Sequence, residues 1–203
     1  MPIEAQSALA PAGRADCEAE YPDRVGVGGV SASASPEFVT HFVPAGHSSV
    51  WLRSAAGFSP GHLDDPFANF YFGAFGNNWV DHRDEKRYRE VYSFPGASLN
   101  EIAGRTFVKS MLEWNLPPVR FSRAGKPGFY ASWARPAVFI GALGTNLDVA
   151  DARRMLTDVG GQIDFRFSLL STLEHTVSAG AAAAFERDSA PRREAMFSVK
   201  ILK

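Results

Sequence analysis

From Thr157 to the C-terminus, apolar and polar side chains alternate almost without a break, in three consecutive segments. In the first, Thr157, Val159, Ile163, Phe165, Phe167 and Leu169 share one face, and Asp158, Gln162, Asp164, Arg166 and Ser168 share the other. In the second, Leu173, Val177, Ala179, Ala181, Ala183 and Phe185 oppose Glu174, Thr176, Ser178 and Glu186. The third sets Ala195, Phe197, Val199 and Ile201 against Glu194, Ser198 and Lys200. A period of two predicts β-strands whose two faces meet different media. The first two segments outrun a typical strand of about 5–6 residues. They match the roughly 9–11 residues with which a tilted strand crosses a bilayer. Long strands of this kind, joined by short polar turns, predict a transmembrane β-barrel, apolar outside and charged within.

Upstream the pattern is more broken. Met1 to Asp23 has no periodicity and reads as a flexible leader, with the β-domain expected over residues 24–203. Short strands are predicted at Val25–Val30, Glu37–Val43 and Ser49–Ala55, separated by Ser, Pro and Gly clusters that suit turns. Gly57 to Pro66 reads as a loop and Phe67–Phe75 as a further strand. Asn77 to Arg89 is too charged for a buried strand and predicts a long loop, and Tyr92 to Gly96 a turn. Over Arg105–Leu116, Val108, Leu112, Trp114 and Leu116 oppose Lys109, Glu113 and Asn115, and Pro117-Pro118 ends the strand. Phe129–Leu143 is apolar on both faces and contains Pro136, which predicts a bulge or kink near Arg135-Pro136. Asp148–Arg154 suits one helical turn. The four alanines at Ala181–Ala184 favour helix by propensity, but the flanking alternation and Gly180 favour a strand whose small side chains let the wall pack closely.

Composition is consistent with this reading. The chain has 203 residues, a formal net charge of -1, 16 Phe, 4 Trp and 5 Tyr. The near-neutral charge gives no basic excess for a nucleic-acid partner, and the aromatic content would serve girdles at the membrane interfaces. No stretch approaches the roughly 18 uncharged apolar residues of a spanning helix. Cys17 is the only cysteine and lies in the polar leader, so neither an internal disulfide nor a cysteine-clustered zinc site can form. Residues 1–16 show no basic segment followed by an apolar one, so no signal peptide is read there. The expectation is therefore the C-terminal part of a larger barrel.

Candidate chemistry is sparse. His41, His47, His62, Asp64 and Asp65 match no metal-ligand spacing, and His82 beside Asp81 and Asp84 is no better placed. There is no G-x-S-x-G elbow, and Gly26-Val27-Gly28-Gly29 lacks the Lys-Ser/Thr and helix of a phosphate loop. No catalytic, cofactor or metal residue is assigned, and no cofactor is expected. The charges on the polar faces, Lys109, Glu113, Asp158, Asp164, Arg166 and Glu174, are predicted to face the lumen and to pair across strands. The same residues would form the solvated face of a soluble sheet.

From Phe67 onward the order of features resembles the C-terminal barrel portion of bacterial surface-antigen proteins, the superfamily of outer-membrane assembly and translocation barrels. A polar segment with Arg87-Tyr88-Arg89 and Ser93-Phe94-Pro95-Gly96 precedes Gly104-Arg105. A strand ending Glu113-Trp114-Asn115-Leu116-Pro117-Pro118 follows, and then the long alternating strands. In that family an Arg on a long inward-folded loop tucks into the lumen, in a Val-Arg-Gly-Phe/Tyr motif. Arg89 corresponds to it loosely, being followed by Glu90-Val91-Tyr92. The resemblance implies a non-enzymatic outer-membrane barrel, acting as a pore, a translocation or assembly component, or a surface antigen. Its partners would be outer-membrane lipid and the barrel-assembly machinery.

The expected fold is all-β and antiparallel, with about eight to ten strands in up-and-down order, forming a barrel or its C-terminal segment. Unpaired strand edges in lipid leave backbone groups unsatisfied, so a segment would need further strands to close. The alternative is a soluble β-barrel or sandwich in which Phe165, Phe167 and Phe197 line a cavity for a small apolar ligand.

Overall fold

The computed structural model describes residues 37–42, 48–76, 86–121, 125–126, 128–169 and 173–202. The leader, Cys17, the strand expected at Val25–Val30, and His47, Asp81, His82 and Asp84 lie outside the described residues. Among the described ones, eleven strands follow one another: β1 (Glu37–Phe42), β2 (Ser49–Phe58), β3 (Phe70–Phe72), β4 (Ile102–Gly104), β5 (Thr106–Asn115), β6 (Val119–Arg120), β7 (Gly125–Lys126), β8 (Phe129–Thr145), β9 (Arg154–Leu169), β10 (Leu173–Glu186) and β11 (Arg192–Leu202). The remaining regular elements are three short 3-10 turns. The chain is all-β, and every pairing is antiparallel.

The main sheet is a meander in the order β1-β2-β5-β8-β9-β10-β11, with β6 and β7 extending it beside the first half of β8. β1 and β11 each have one strand neighbour among the described residues, and the sheet there is open. The alternation fixes which face is which. Val108, Leu112 and Trp114 of β5 are exposed, whereas Lys109, Glu113 and Asn115 are buried. On β9, Val159 is exposed while Asp158, Gln162 and Asp164 are buried. Phe185 of β10 and Phe197 and Val199 of β11 continue the exposed face, and Thr176 and Ser178 the buried one.

What buries the polar face is the chain between β2 and β5. Ser59 N–H donates to Arg105 O (2.9 Å) and closes this excursion at its base. The inserted segment then folds back over the sheet. Within it β3 and β4 pair as a separate two-stranded sheet, and Ala74 bridges Phe94. The wall strand expected at Phe67–Phe75 is therefore corrected to a 3-10 turn at Pro66–Ala68 followed by β3. Phe70 and Phe72 face inward together, edge-on to Phe107 of β5 at 4.9 and 4.8 Å between ring centroids. A second apolar layer stacks Tyr88 on Phe139 (4.3 Å) and sets Phe75 edge-on to the same ring (6.2 Å).

Small residues on the wall make room for these rings. A Cβ on Gly180 would stand 3.0 Å from the Phe75 ring, and one on Gly160 would stand 2.5 Å from Phe139. Ala182 and Ala184 are buried under the same segment, so the alanine run is strand, packed closely. One helical turn forms in the β8–β9 connection, as a 3-10 turn at Ala150–Ala152. The irregularity of β8 lies between Ala131 and Trp133, not at Arg135-Pro136. Pro136 stands just past the last β5–β8 pair, Asn115 with Ala137, and its carbonyl accepts from Leu116 N–H (3.0 Å). Its missing N–H therefore interrupts little of the ladder, and no bulge is needed there.

Candidate functional site

The charged side chains that the inserted segment carries into the sheet converge on one buried cluster. The 3-10 turn Arg87–Arg89 places Lys86, Tyr88 and Arg89 against β5. Arg89 meets Glu113 in a two-pronged pair, with Nε donating to Oε2 at 2.8 Å and Nη2 to Oε1 at 2.7 Å. The flat guanidinium fork matches a carboxylate in this way, and such pairs are among the stronger charged hydrogen bonds. The other face of the Arg89 guanidinium lies over the Trp51 ring of β2, 5.6 Å from its centroid. Glu113 is wholly buried, at 0% exposure.

Lys86 is 4% exposed. Its Nζ donates to Asn115 Oδ1 (2.5 Å) and stands 3.7 Å from Glu113 and 4.0 Å from Asp164. Burial pulls the Lys86 ammonium down to about 8, and the negative charges of Glu113 and Asp164 act against that fall. Burial, and then the charge of Glu113, pushes the Tyr88 phenol well above its ordinary value. Both shifts follow from removing ionisable groups from water beside fixed charges. Asp164 is held on its other oxygen by Gln162 Nε2 (2.6 Å) and Ser178 Oγ (2.7 Å), so β9 and β10 join the cluster.

Lys109 acts on the next layer. Its Nζ donates to the carbonyls of Glu90 (3.1 Å), Val91 (3.0 Å) and Ser93, all in the inserted segment. Three carbonyls match the three protons of this buried ammonium. Ser93 Oγ in turn donates to Tyr88 O (2.6 Å), tightening the turn that Lys109 grips.

The six polar-face charges thus divide. Arg166 and Glu174 pair diagonally across β9 and β10, Arg166 standing opposite Thr176 and Glu174 opposite Ser168. Lys109 and Glu113 bind the inserted segment, which supplies its own cations and carbonyls. Asp164 faces Lys86, and Asp158 is buried with its carboxylate over Gly141. Among the loop residues considered as ligands, Asp65 caps the 3-10 turn at Pro66 through Phe67 N–H (2.9 Å). Lys86 and Tyr88 were not foreseen as interior residues. The resemblance relates Arg89 alone, and loosely, to an arginine on an inward-folded loop.

No family model, curated protein or solved structure matches the chain. Within the cluster Ser178 Oγ donates to the Asp164 carboxylate (2.7 Å), and the charged groups lie around it. Opposite charges face one another here, and Lys109 meets backbone carbonyls, an arrangement suited to fastening the segment to the sheet.

Proposed function

We propose that this chain forms part of the wall of a bacterial outer-membrane β-barrel of the surface-antigen type, non-enzymatic, with the inserted segment fastened in its lumen. The observation that carries this reading is an apolar outer face left exposed while the inner face buries charges beside its aromatic core. A soluble sheet buries its apolar face and wets its polar one. Here Lys109, Glu113, Asp158 and Asp164 are buried, while Leu112, Trp114, Val138, Ile140, Val159, Phe197 and Val199 are exposed.

The exposed residues are arranged as a band. Adjacent strands place Leu52, Leu112, Ile140, Val159 and Ala183 in one row, which ends on the exposed Arg193 of β11, and Val50, Trp114, Val138, Gly161, Ala181 and Ala195 in the next. Pro136, Ile163, Ala179 and Phe197 form a third row, and Phe165, Val177 and Val199 a fourth, which meets the buried Ala134 on β8. Along β10 the band runs from Phe185 to Val177, about 27 Å at ~3.4 Å per residue. Tilted by about 40°, that gives roughly 20 Å of height, close to the apolar band of about 25 Å on outer-membrane barrels. Contiguous apolar surface on this scale is foreign to soluble monomers. It speaks against the soluble alternative, in which Phe165 and Phe197 would face an interior that the inserted segment does not occupy.

Within this reading the protein is a pore, translocation or assembly component, or a surface antigen, and its partners are outer-membrane lipid and the machinery that inserts barrels. Fractionation tests it. The full-length protein is expected in the membrane fraction, resistant to urea and alkaline extraction, and monodisperse in solution only with detergent. A monodisperse protein in detergent-free buffer overturns the proposal.

A further inference from the structure

The inserted segment is fastened to the sheet a second time, at the far side from Glu113. Glu194 of β11 points inward and spreads its two carboxylate oxygens between two backbone donors of the segment. Oε1 accepts from Phe75 N–H (3.2 Å) and Oε2 from Gly96 N–H (3.0 Å). These donors lie on either side of the Ala74–Phe94 bridge, so one carboxylate grips both limbs of the segment. Gly96 reaches that position with φ at +95°, and a Cβ on it would stand 2.5 Å from Ala184 N. Two residues earlier on the same face, Arg192 spans Glu101 of the segment (3.1 Å) and Glu186 of β10 (2.6 Å).

We propose that Glu194 makes the inserted segment a brace between β5 and the terminal strand. At one end Arg89, Lys86 and the carbonyls over Lys109 bind β5; at the other Glu194 and Arg192 bind β11. The strands β8, β9 and β10 lie between. β11 needs such a tie more than any other long strand, because β10 is its one ladder partner among the described residues. An edge strand held from one side opens most easily. The brace sets where the terminal edge stands relative to β5, and releasing Glu194 loosens that edge while leaving β5, β8 and β9 paired. This inference rests on contacts between strand and segment, and not on what covers the outer face.

Amide hydrogen exchange of the full-length protein in detergent tests it, using Glu194→Ala, the isostere Glu194→Gln, and Ser198→Ala as a control on the same face of β11. Glu194→Ala is expected to speed exchange about tenfold or more at Phe75, at Gly96 and along 193–200, with β5 and β8 unchanged. Glu194→Gln keeps an acceptor oxygen for one donor, so it is expected to fall between, and it remains informative if the alanine variant fails to fold. Ser198→Ala is expected to leave both regions near wild type. Faster exchange at Phe75 and Gly96 with β11 unaltered overturns the brace and reduces Glu194 to a local cap. A uniform rise through β5, β8 and β9 overturns it too, because the effect is then loss of the whole fold. Failure of the membrane proposal shows separately, in fractionation of the wild-type protein.

Discussion

Replacing Val138 by Arg separates a lipid-facing wall from a water-facing one. Val138 lies in the middle of the apolar band, 44% exposed, between Trp114 and Gly161 in its row. If that face meets hydrocarbon, an Arg near the midplane costs about 2–4 kcal/mol, and the penalty falls to about 0–1 kcal/mol near the interfaces. The folding equilibrium then shifts by roughly 30- to 900-fold, at about 1.36 kcal/mol per tenfold. If the face meets water, the change is a surface substitution within about 0.5 kcal/mol. Met155 supplies the depth control, because it is exposed at the β8–β9 end of the sheet. Equilibrium unfolding from phospholipid vesicles in guanidinium, with wild type, Val138→Arg and Met155→Arg side by side, reads both. A wall in lipid gives a large loss at 138 and a small one at 155. Two equal losses of under about 0.5 kcal/mol would refute the lipid-facing assignment.

Three further outcomes follow from the interior. Glu113→Gln leaves Arg89 and Lys86 buried without their carboxylate and is expected to lower unfolding stability by about 3 kcal/mol, whereas Glu174→Gln, in a half-exposed pair, costs under about 1 kcal/mol; equal losses in a chemical-denaturation series would count against the cluster as the principal fastening. Lys86 gives a pH signature: its value falls from 10.5 to about 8 in the folded protein, so between those limits the unfolded chain binds more protons and stability rises with pH. The gain is on the order of 3 kcal/mol across that window and is absent in Lys86→Met; denaturation midpoints that stay flat from pH 7.5 to 10.5 contradict it. Gly96→Ala forces a Cβ into the Ala184 backbone at positive φ and is expected to destabilise by about 1–3 kcal/mol, seen as a lower unfolding midpoint; a neutral result would mean that the segment is not seated there.

The wall was legible from the chain because its signal is local. Each long strand carries its own alternation, and in β9, β10 and β11 the buried Asp158, Asp164 and Thr176 and the exposed Val159, Phe185 and Phe197 lie on the faces that alternation assigns. The inserted segment was not legible, for the opposite reason. Lys86, Tyr88 and Arg89 read as a solvated loop because four charged residues lie within Glu85–Arg89. What makes burial tolerable is Glu113 and Asp164, residues distant in sequence that only the folded sheet brings to them. Phe70 and Phe72 carry a true strand period, but a period does not say which sheet a strand joins. At Pro136 the local rule predicted a kink, and the end of the β5 pairing removed the need for one.

The meander carries a constraint on how any cylinder could be completed. Six antiparallel steps separate β1 from β11, so these two edges run in the same direction. Joining them directly would make a parallel seam in an otherwise antiparallel wall. An antiparallel closure needs an odd number of intervening strands. One would give eight, a barrel whose interior is just filled by its own side chains. Here β3, β4 and the Lys86–Arg89 turn also lie against the inner face of the sheet. In a closed sheet the inserted segment would set a lower bound on the circumference, and parity would set which strand counts above it are allowed.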